Sequence, residues 1–222
     1  MKKLVIYHGS DHKIEKPQYN YEDANPNNDY GLAFYCTLEK EAGKEWACRN
    51  SKNGVLNTYE IDMNDLKVLD LTDKTKYTVL NWIALLMHNR DLEPEFKEKH
   101  KIQLAYLKNK LPDITGYDII IGYRADDAYF RFPQKFVDNK LTLGVMDEIY
   151  FNGELGVQFV VYSEKAFDIL KFIKSEDIHE EYYYKYQQRV EDADKEYYKL
   201  EAEQEFAKGI RINDLIEMEQ KW

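Results

Sequence analysis

Runs of apolar residues bounded by turn-forming residues predict a series of short strands. Residues 4–7, Leu-Val-Ile-Tyr, form one such run, and His8, Gly9 and Ser10 end it with a polar turn. Residues 117–122 are the clearest inner strand, because this run is apolar on both faces. The other predicted strands cover residues 31–36, 55–62, 67–71 and, as the last strand of the chain, 157–162.

Apolar positions at helical spacing predict helices between these strands. Thr37 is a candidate N-cap for the first helix, and Pro94 suits a helix start. Ser163 is placed to cap a helix that extends to about Lys174. The predicted helices cover residues 38–50, 75–90, 94–111, 128–139, 141–150 and 164–174.

The pattern changes from Ile178 onward. Apolar residues between Tyr183 and Ala207 recur at alternating spacings of 3 and 4, which predicts a long helix with a narrow apolar seam. Gly209 is expected to end this helix, and residues 210–222 form a short amphipathic segment. Two interpretations stay open: the helix folds back on the body, or its tyrosine-rich surface docks a partner or a second copy.

The composition supports one folded domain with an appendage. Of the 222 residues, 44% are hydrophobic and 14% are aromatic, which is enough to build a core. Residues 175–222 carry 14 acidic and 7 basic side chains, whereas residues 1–174 carry 27 and 24. We therefore predict an α+β domain over residues 1–174 and an acidic, tyrosine-rich helical extension over residues 175–222. The nearly neutral domain neither supports nor excludes a nucleic-acid substrate.

The sequence contains neither a signal-peptide pattern nor a stretch long and apolar enough to span a membrane. We therefore expect a cytoplasmic protein without a membrane partner. Cys36 and Cys48 fit a reducing compartment as packing residues, and no metal-ligand pattern surrounds them. No metal cofactor is expected.

The turn after the first strand is the first candidate for chemistry. Gly9 lets the main chain approach a ligand, so that its N–H and C=O can bond a flat amide, and His8 can reach a hydroxyl. The alternative, favoured by these residues alone, is a strand-end histidine bonded to a loop carbonyl.

The polar segment from Asp11 to Tyr30 is either a binding loop or an insertion. Asp126 and Asp127 either hold a hydroxyl or cation or cap the helix that follows.

Three segments in this order carry a resemblance to a known family. They are His8-Gly9-Ser10, residues 29–37 with Ala42 and Glu45-Trp46-Ala47 after them, and residues 156–166. Together they resemble the ADP-ribosyltransferase superfamily, in its diphtheria-toxin and poly(ADP-ribose)-polymerase branch. More closely, they are similar to a bacterial family of unknown function within it, often encoded beside a small partner in toxin–antitoxin style. Residues 117–122 leading into Ala125-Asp126-Asp127 are typical of that family, and the likeness covers residues 3–174.

The resemblance implies a fold, an activity and roles for individual residues. The fold would be a split, strongly curved, mainly antiparallel sheet with NAD in its cleft. The activity would be NAD-dependent mono-ADP-ribosyl transfer to an unknown macromolecular acceptor, and a small antitoxin or partner protein would dock at the C-terminal helix. In the first motif, His8 would bond a ribose hydroxyl, Gly9 would hold the nicotinamide carboxamide, and Ser10 would complete the cofactor-binding turn. Tyr35 would stack on the nicotinamide ring.

Gln158 would fall at or beside the third motif of the resembled superfamily, where well-known transferases have glutamate, and glutamine departs from that pattern. A carboxylate there would stabilise the oxocarbenium-like sugar that forms as nicotinamide leaves. Three interpretations stay open: Gln158 suffices, another acid such as Glu154, Glu148 or Asp126 supplies the charge, or this copy is catalytically weak. The rival functions are a non-catalytic binding module that works through the tail, and an NAD hydrolase without a macromolecular acceptor.

Overall fold

The computed structural model describes residues 3–50, 53–125, 127–152, 156–204 and 208–221, and these form a mixed α+β fold. The strands are β1 (Lys3–Ser10), β2 (Phe34–Cys36), β3 (Gly54–Asp62), β4 (Val68–Asp70), β5 (Ile119–Tyr123), β6 (Val157–Val161) and β7 (Lys171–Ile178). The helices are α1 (Lys40–Ala47), α2 (Val79–Asn89), α3 (Pro94–Lys99), α4 (Lys101–Lys108), α5 (Asp127–Val137), α6 (Leu143–Asp147), α7 (Glu164–Asp168), α8 (Glu180–Gln204) and α9 (Ile212–Gln220). A π-helical turn, Glu148–Asn152, continues α6.

The described strands form two mostly antiparallel sheets. The first has the order β1-β3-β7 and is antiparallel throughout. The second has the order β2-β6-β5-β4, in which β4 and β5 are parallel and the other pairs are antiparallel. Tyr7 and Thr37 exchange two backbone hydrogen bonds of 2.9 Å, which join β1 to the end of β2.

Alternation along β5 and β6 explains how the second sheet is buried on both faces. Ile119 and Phe159 belong to a core cluster that also contains Ile6 and Tyr59 of the first sheet. Ile120 belongs to a larger cluster on the opposite face, together with buried residues of α2 and α5. The second sheet therefore lies between the first sheet and a layer of helices.

The largest apolar run of the sequence becomes the helix at the centre of that layer. Thr78 and Asn81 form a capping box at the start of α2. Beyond the cap, Trp82, Ile83 and Leu86 are each no more than 2% exposed. The sequence predicted a helix with apolar residues around most of its circumference, and the burial of α2 confirms this prediction.

The sequence-based prediction was wrong for the segment after Ser163. Ser163 does cap a helix, since its Oγ accepts from Ala166 N, but α7 ends at Asp168. The chain then forms β7, which pairs with β3 from Gly54 to Glu60. The strand at 157–162 is therefore not the last one, and the predicted division between residues 174 and 175 falls inside β7. Strand pairing with a distant segment has overridden the local helical pattern.

Both helices of the C-terminal segment pack on the body of the protein. In α8, Tyr182 is buried and its hydroxyl donates to Glu41 of α1, with an oxygen–oxygen distance of 2.9 Å. In α9, Ile212 is fully buried, and Asn213 accepts from Gln103 of α4 at 2.9 Å. The described part of the segment thus follows the fold-back interpretation, while docking of a small partner remains a prediction. None of the helices in the described ranges combines the length and apolar character needed to cross a membrane.

Candidate functional site

A cavity of about 270 Å³ is lined by residues from both sheets. His8 and Gly9 of β1, Tyr35 of β2 and Gln158 of β6 all line it. The structure therefore brings together four of the five site residues predicted from the sequence. The other residues that matter for its chemistry are Asp29, Phe34, Trp46, Arg49, Arg90 and Arg124.

His8 is held in one tautomer by the strand next to it. Its Nδ1 lies 2.7 Å from the carbonyl oxygen of Tyr35, and because a carbonyl only accepts, Nδ1 carries the proton. Burial lowers the pKa of His8 to about 4, with the charge of Arg49 adding to the effect and the Tyr35 hydrogen bond opposing it. The imidazole is therefore neutral at pH 7. Its Nε2 presents a lone pair that can accept a hydrogen bond from a ligand hydroxyl.

Phe34 fixes the plane of the same imidazole. The two rings stack with centroids 4.3 Å apart and planes 27° apart. Phe34 in turn meets Tyr59 of β3 edge-on at 5.5 Å. The orientation of His8 is thus set by one hydrogen bond and one ring stack, which favours a preorganised acceptor.

We expect His8 to make stability depend on pH. Its pKa is about 4 in the folded protein against an ordinary 6.5, so the unfolded chain binds more protons between these values. This contribution to stability is complete above pH 6.5 and is lost as the pH falls toward 4. It amounts to at most about 3 kcal/mol, and less because the ring is only partly buried. Urea unfolding of the wild type and of His8→Gln at pH 7.0 and 4.5 measures it.

The comparison of the two proteins isolates His8, because carboxylates that titrate in the same range are present in both. We expect the wild type to lose more unfolding free energy than His8→Gln over this interval. Equal losses in the two proteins would contradict the neutral, desolvated imidazole.

The hydroxyl of Tyr35 holds the chain segment before β2 through two hydrogen bonds. It donates to the carbonyl oxygen of Gly31 at 2.6 Å and accepts from the backbone N–H of Tyr30 at 3.0 Å. Burial, together with the charge of Asp29, raises the pKa of Tyr35 well above its ordinary value. The hydroxyl is therefore engaged in two hydrogen bonds within the protein.

The two other residues of the predicted turn differ in position. Gly9 lines the cavity and also lies directly against α1: a Cβ there would come within 2.4 Å of the backbone nitrogen of Ala47. The hydroxyl of Ser10 accepts from Asn57 at 2.9 Å, and Ser10 is not among the described residues that line the cavity. A direct role of Ser10 in ligand binding stays a prediction.

Gln158 faces the cavity beside a carboxylate that the sequence analysis did not single out. Its Nε2 donates to Oδ2 of Asp29 at 3.1 Å. Its Oε1 is buried and has no hydrogen-bond partner among the described residues. Asp29 itself is 4% exposed and pairs with Arg90, with 2.9 Å between Oδ1 and Nε.

Arginines give the cavity a positive character. Arg49, Arg90 and Arg124 line it, and Asp29 is the one carboxylate among the described lining residues. The guanidinium carbons of Arg49 and Arg124 lie 4.3 Å and 5.3 Å from the ring centroid of Trp46. This local excess of positive charge stands in a protein with a net charge of −10. Such a cleft favours an anionic ligand.

These residues were missed because no local pattern marks them. Asp29 and Trp46 fall within the segments that carried the family resemblance, but neither was given a role there. Arg90 ends α2 and Arg124 follows β5, so they reach the cavity from distant parts of the sequence. Only the tertiary structure brings their charges together.

Of the acids considered as substitutes for a glutamate at position 158, Glu148 is the one whose side chain the structure describes. Glu148 is exposed on the π-helical turn and does not line the cavity. Glu154 and Asp126 lie outside the described residues. Asp127 begins α5, and its side chain also lies outside them. Within the described ranges no group of three or more His, Cys, Asp or Glu residues could hold a metal ion.

A second cavity of about 270 Å³ adjoins the first under the polar segment that follows β1. Ile14, Tyr21, Ala24, Ala33 and Phe34 line both cavities. The segment is anchored to β3, because the backbone N–H of Ile14 donates to Asn57 at 3.0 Å. The segment therefore forms walls of the candidate site, and its role as a binding loop stays a prediction.

Comparison with known protein families gives a match over most of the chain. The profile of the family described as "Protein of unknown function (DUF3990)" matches residues 4–172. Comparisons with curated proteins and with solved structures found no significant match. Because the family profile spans more than half of the 222 residues, the chain belongs to the DUF3990 family.

Proposed function

We propose that this cavity binds NAD and that the protein transfers ADP-ribose from it. The observation that carries the proposal is the convergence of His8, Tyr35 and Gln158 on one cavity from three different strands. These are the residues to which the family resemblance assigned NAD recognition. They are up to 150 positions apart in the chain, so their meeting is not a consequence of local sequence.

The electrostatics of the cavity support a dinucleotide ligand. The diphosphate of NAD carries negative charge, and guanidinium groups bind phosphate through paired, charge-assisted hydrogen bonds. Arg49 is exposed at the cavity and its guanidinium stacks on Trp46. An aromatic ring beside cationic groups also suits a nucleotide base.

The chemistry asks for hydrogen-bond acceptors around the ribose. In ADP-ribosyl transfer the bond between the ribose anomeric carbon and the pyridinium nitrogen breaks, and its electron pair stays with the departing nicotinamide. The sugar gains oxocarbenium character until the acceptor nucleophile attacks and loses its proton. Nε2 of the neutral His8 and Oε1 of Gln158 are hydrogen-bond acceptors that would orient the ribose hydroxyls. Their lone pairs would also face the positive charge that develops on the sugar.

Incubation of the purified protein with NAD labelled in its adenylate phosphate and with host lysate tests this function. We expect His8→Ala and Tyr35→Ala each to reduce NAD consumption about 100-fold or more, because each removes a group that positions the reacting sugar or ring. His88→Ala is the matched control, since His88 is exposed on α2 and does not line the cavity. Circular dichroism of each variant checks its fold.

The destination of the label separates the rival functions. Label on a macromolecule that nuclease or protease removes identifies transfer and its acceptor class. NAD consumption without labelled macromolecules would mean hydrolysis at the same site. Full activity in both variants, or no binding of NAD by the wild type in calorimetry, would overturn the proposal and leave a non-catalytic binding module.

A further inference from the structure

We propose that Asp29 is the positioning residue for Gln158, holding its amide so that Oε1 is the acceptor offered to the ligand. The inference rests on the proposed function, in which that ligand is the ribose of NAD. It also accounts for a glutamine at or beside the position where well-known transferases of the resembled superfamily have glutamate: the negative charge is supplied by Asp29, through a hydrogen bond to the amide.

The contacts of Asp29 define which way the amide must point. Oδ2 of Asp29 accepts from the backbone N–H of Ala125 at 2.9 Å and from Nε2 of Gln158 at 3.1 Å. A carboxylate can only accept, so it selects the amide nitrogen and rejects the amide oxygen. With Nε2 committed to Asp29, the oxygen is the end of Gln158 left for another molecule.

That oxygen is the unexplained feature of the cavity wall. Gln158 is 9% exposed, and its Oε1 has no hydrogen-bond partner among the described residues. Buried acceptors without a partner are uncommon, because they lose their bonds to water and gain nothing in return. An acceptor kept in this state beside a cavity fits a site whose donor arrives with the ligand, and a ribose hydroxyl is such a donor.

Asp29 can do this because it is itself fixed from two sides. Its Oδ1 pairs with Nε of Arg90 at 2.9 Å, and Nη2 of Arg90 donates to the carbonyl oxygen of Ala125 at 2.7 Å. Arg90 and the backbone of Ala125 thus hold the carboxylate in one position between the end of α2 and the segment after β5. Because the carboxylate is held in one position, its hydrogen bond to Nε2 also fixes the orientation of the Gln158 amide.

The same geometry explains why glutamate would be poorly suited to position 158. It would place a second carboxyl group about 3 Å from Asp29, and two carboxylates at that distance do not both ionise readily. One of them would retain a proton at pH values where a lone carboxyl has lost it. Glutamine provides the donor for Asp29 without this conflict.

The test places carboxyl groups at both positions 29 and 158, and then replaces the one at position 29 with an amide. In Gln158→Glu, the introduced carboxyl is expected to titrate under the influence of Asp29. In the double variant Asp29→Asn with Gln158→Glu, the amide at position 29 donates to it instead. We expect the pKa of the introduced carboxyl to be at least about one unit lower in the double variant. Carbon-13 NMR of selectively labelled glutamate measures it without any ligand. Among the described residues, the titratable and charged groups that line the cavity with Gln158 are Tyr7, His8, Tyr21, Asp29, Tyr35, Cys36, Arg49, Arg90 and Arg124.

Arg90→Gln in the Gln158→Glu background gives a second measurement of opposite sign. Removing the guanidinium takes away the positive charge that pairs with Asp29, so the pKa of the introduced carboxyl should rise. If Asp29→Asn does not fold, this variant still tests the positioning role. Equal pKa values in the single and double variants, or a fall on removal of Arg90, would overturn the positioning role.

NAD affinity measured by calorimetry supplies the functional readout. Below its raised pKa, the protonated carboxyl in Gln158→Glu donates to Asp29 and offers a carbonyl oxygen, as glutamine does, so NAD binding should persist. As the pH rises through that pKa, repulsion from Asp29 should weaken binding about tenfold or more. The double variant should lack this pH dependence, and its presence there would overturn the inference.

Failure of the inference and failure of the proposed function are distinguishable. If wild-type protein does not bind NAD, the proposed function is overturned, and the ligand-free titration alone decides whether Asp29 positions Gln158. If NAD binds but the titration shows no coupling between positions 29 and 158, the proposed function stands and the role of Asp29 is overturned.

Discussion

Truncation of the chain after Lys174 is expected to abolish cooperative folding. The cut falls inside β7 and removes the residues from Ser175 to Ile178, which pair with the residues from Asn57 to Gly54 of β3. It also removes Tyr182 and Ile212, which are buried against the body at 8% and 0% exposure. The shortened chain would therefore lack one end of its first sheet and part of two core clusters.

The expected loss of unfolding free energy is too large for the shortened chain to stay folded. Removing a large buried side chain costs about 2–5 kcal/mol, and three are lost when Ile178 is counted with Tyr182 and Ile212. The net stability of a domain is only about 5–15 kcal/mol, so the loss from the core alone is comparable to the whole. Unpaired backbone groups along β3 add to it.

Urea denaturation followed by fluorescence and circular dichroism measures the effect. The matched control ends after Gln220, which keeps β7, α8 and α9 intact, and it should unfold like the full chain. A cooperative transition of the 1–174 fragment at the same urea concentration as the full chain would show that the extension is dispensable for folding.

Substitution of Gly9 by alanine is expected to destabilise the fold by about 3 kcal/mol or more, at the upper end of the range for overpacked cores. A Cβ at this position would lie 2.3 Å from the carbonyl oxygen of Gly43 and 2.4 Å from the backbone nitrogen of Ala47. Both atoms belong to the backbone of α1, which cannot move aside as a flexible side chain can. The whole helix must shift, and it carries Trp46 at the cavity.

Gly144→Ala is the matched control for this substitution. Gly144 lies in α6, and a Cβ there meets nothing within 4 Å. Because alanine is the better helix former, this variant should be as stable as the wild type or more stable by up to about 1 kcal/mol. Thermal and urea unfolding of both variants decide the matter. A Gly9→Ala protein as stable as Gly144→Ala would contradict the close contact between β1 and α1.

These two expectations change how functional tests on this protein should be interpreted. A phenotype that depends on residues 175–222 does not by itself identify a partner-binding surface, because the segment contributes to the core. Likewise, loss of NAD binding in a Gly9 variant would not distinguish a backbone contact with the ligand from displacement of α1. Substitutions at His8, Asp29 and Gln158 address the site more directly.

The residues of the candidate site were only partly predictable. The turn His8-Gly9, together with Tyr35 and Gln158, was identified by its resemblance to a known arrangement, and the structure brings these residues to one cavity. The role of Asp29 was not identified, because its contact with Gln158 joins positions that are 129 residues apart. Hydrogen-bond partners depend on distances between atoms that no local pattern encodes.

The elements that could be predicted from the sequence are those whose apolar spacing follows directly from their burial. β5 is apolar on both faces and α2 is apolar around most of its circumference, and each forms near where the pattern predicted it. The tertiary structure alone decided β7, an edge strand with mostly polar residues whose pairing partner is β3. It also decided the electrostatics of the cavity, where Arg90 after α2 and Arg124 after β5 meet Arg49 and Asp29. The physical reason is the same in both cases: hydrophobic burial leaves a periodic signal in the sequence, whereas strand pairing and charge interactions depend on which distant segments the fold brings together.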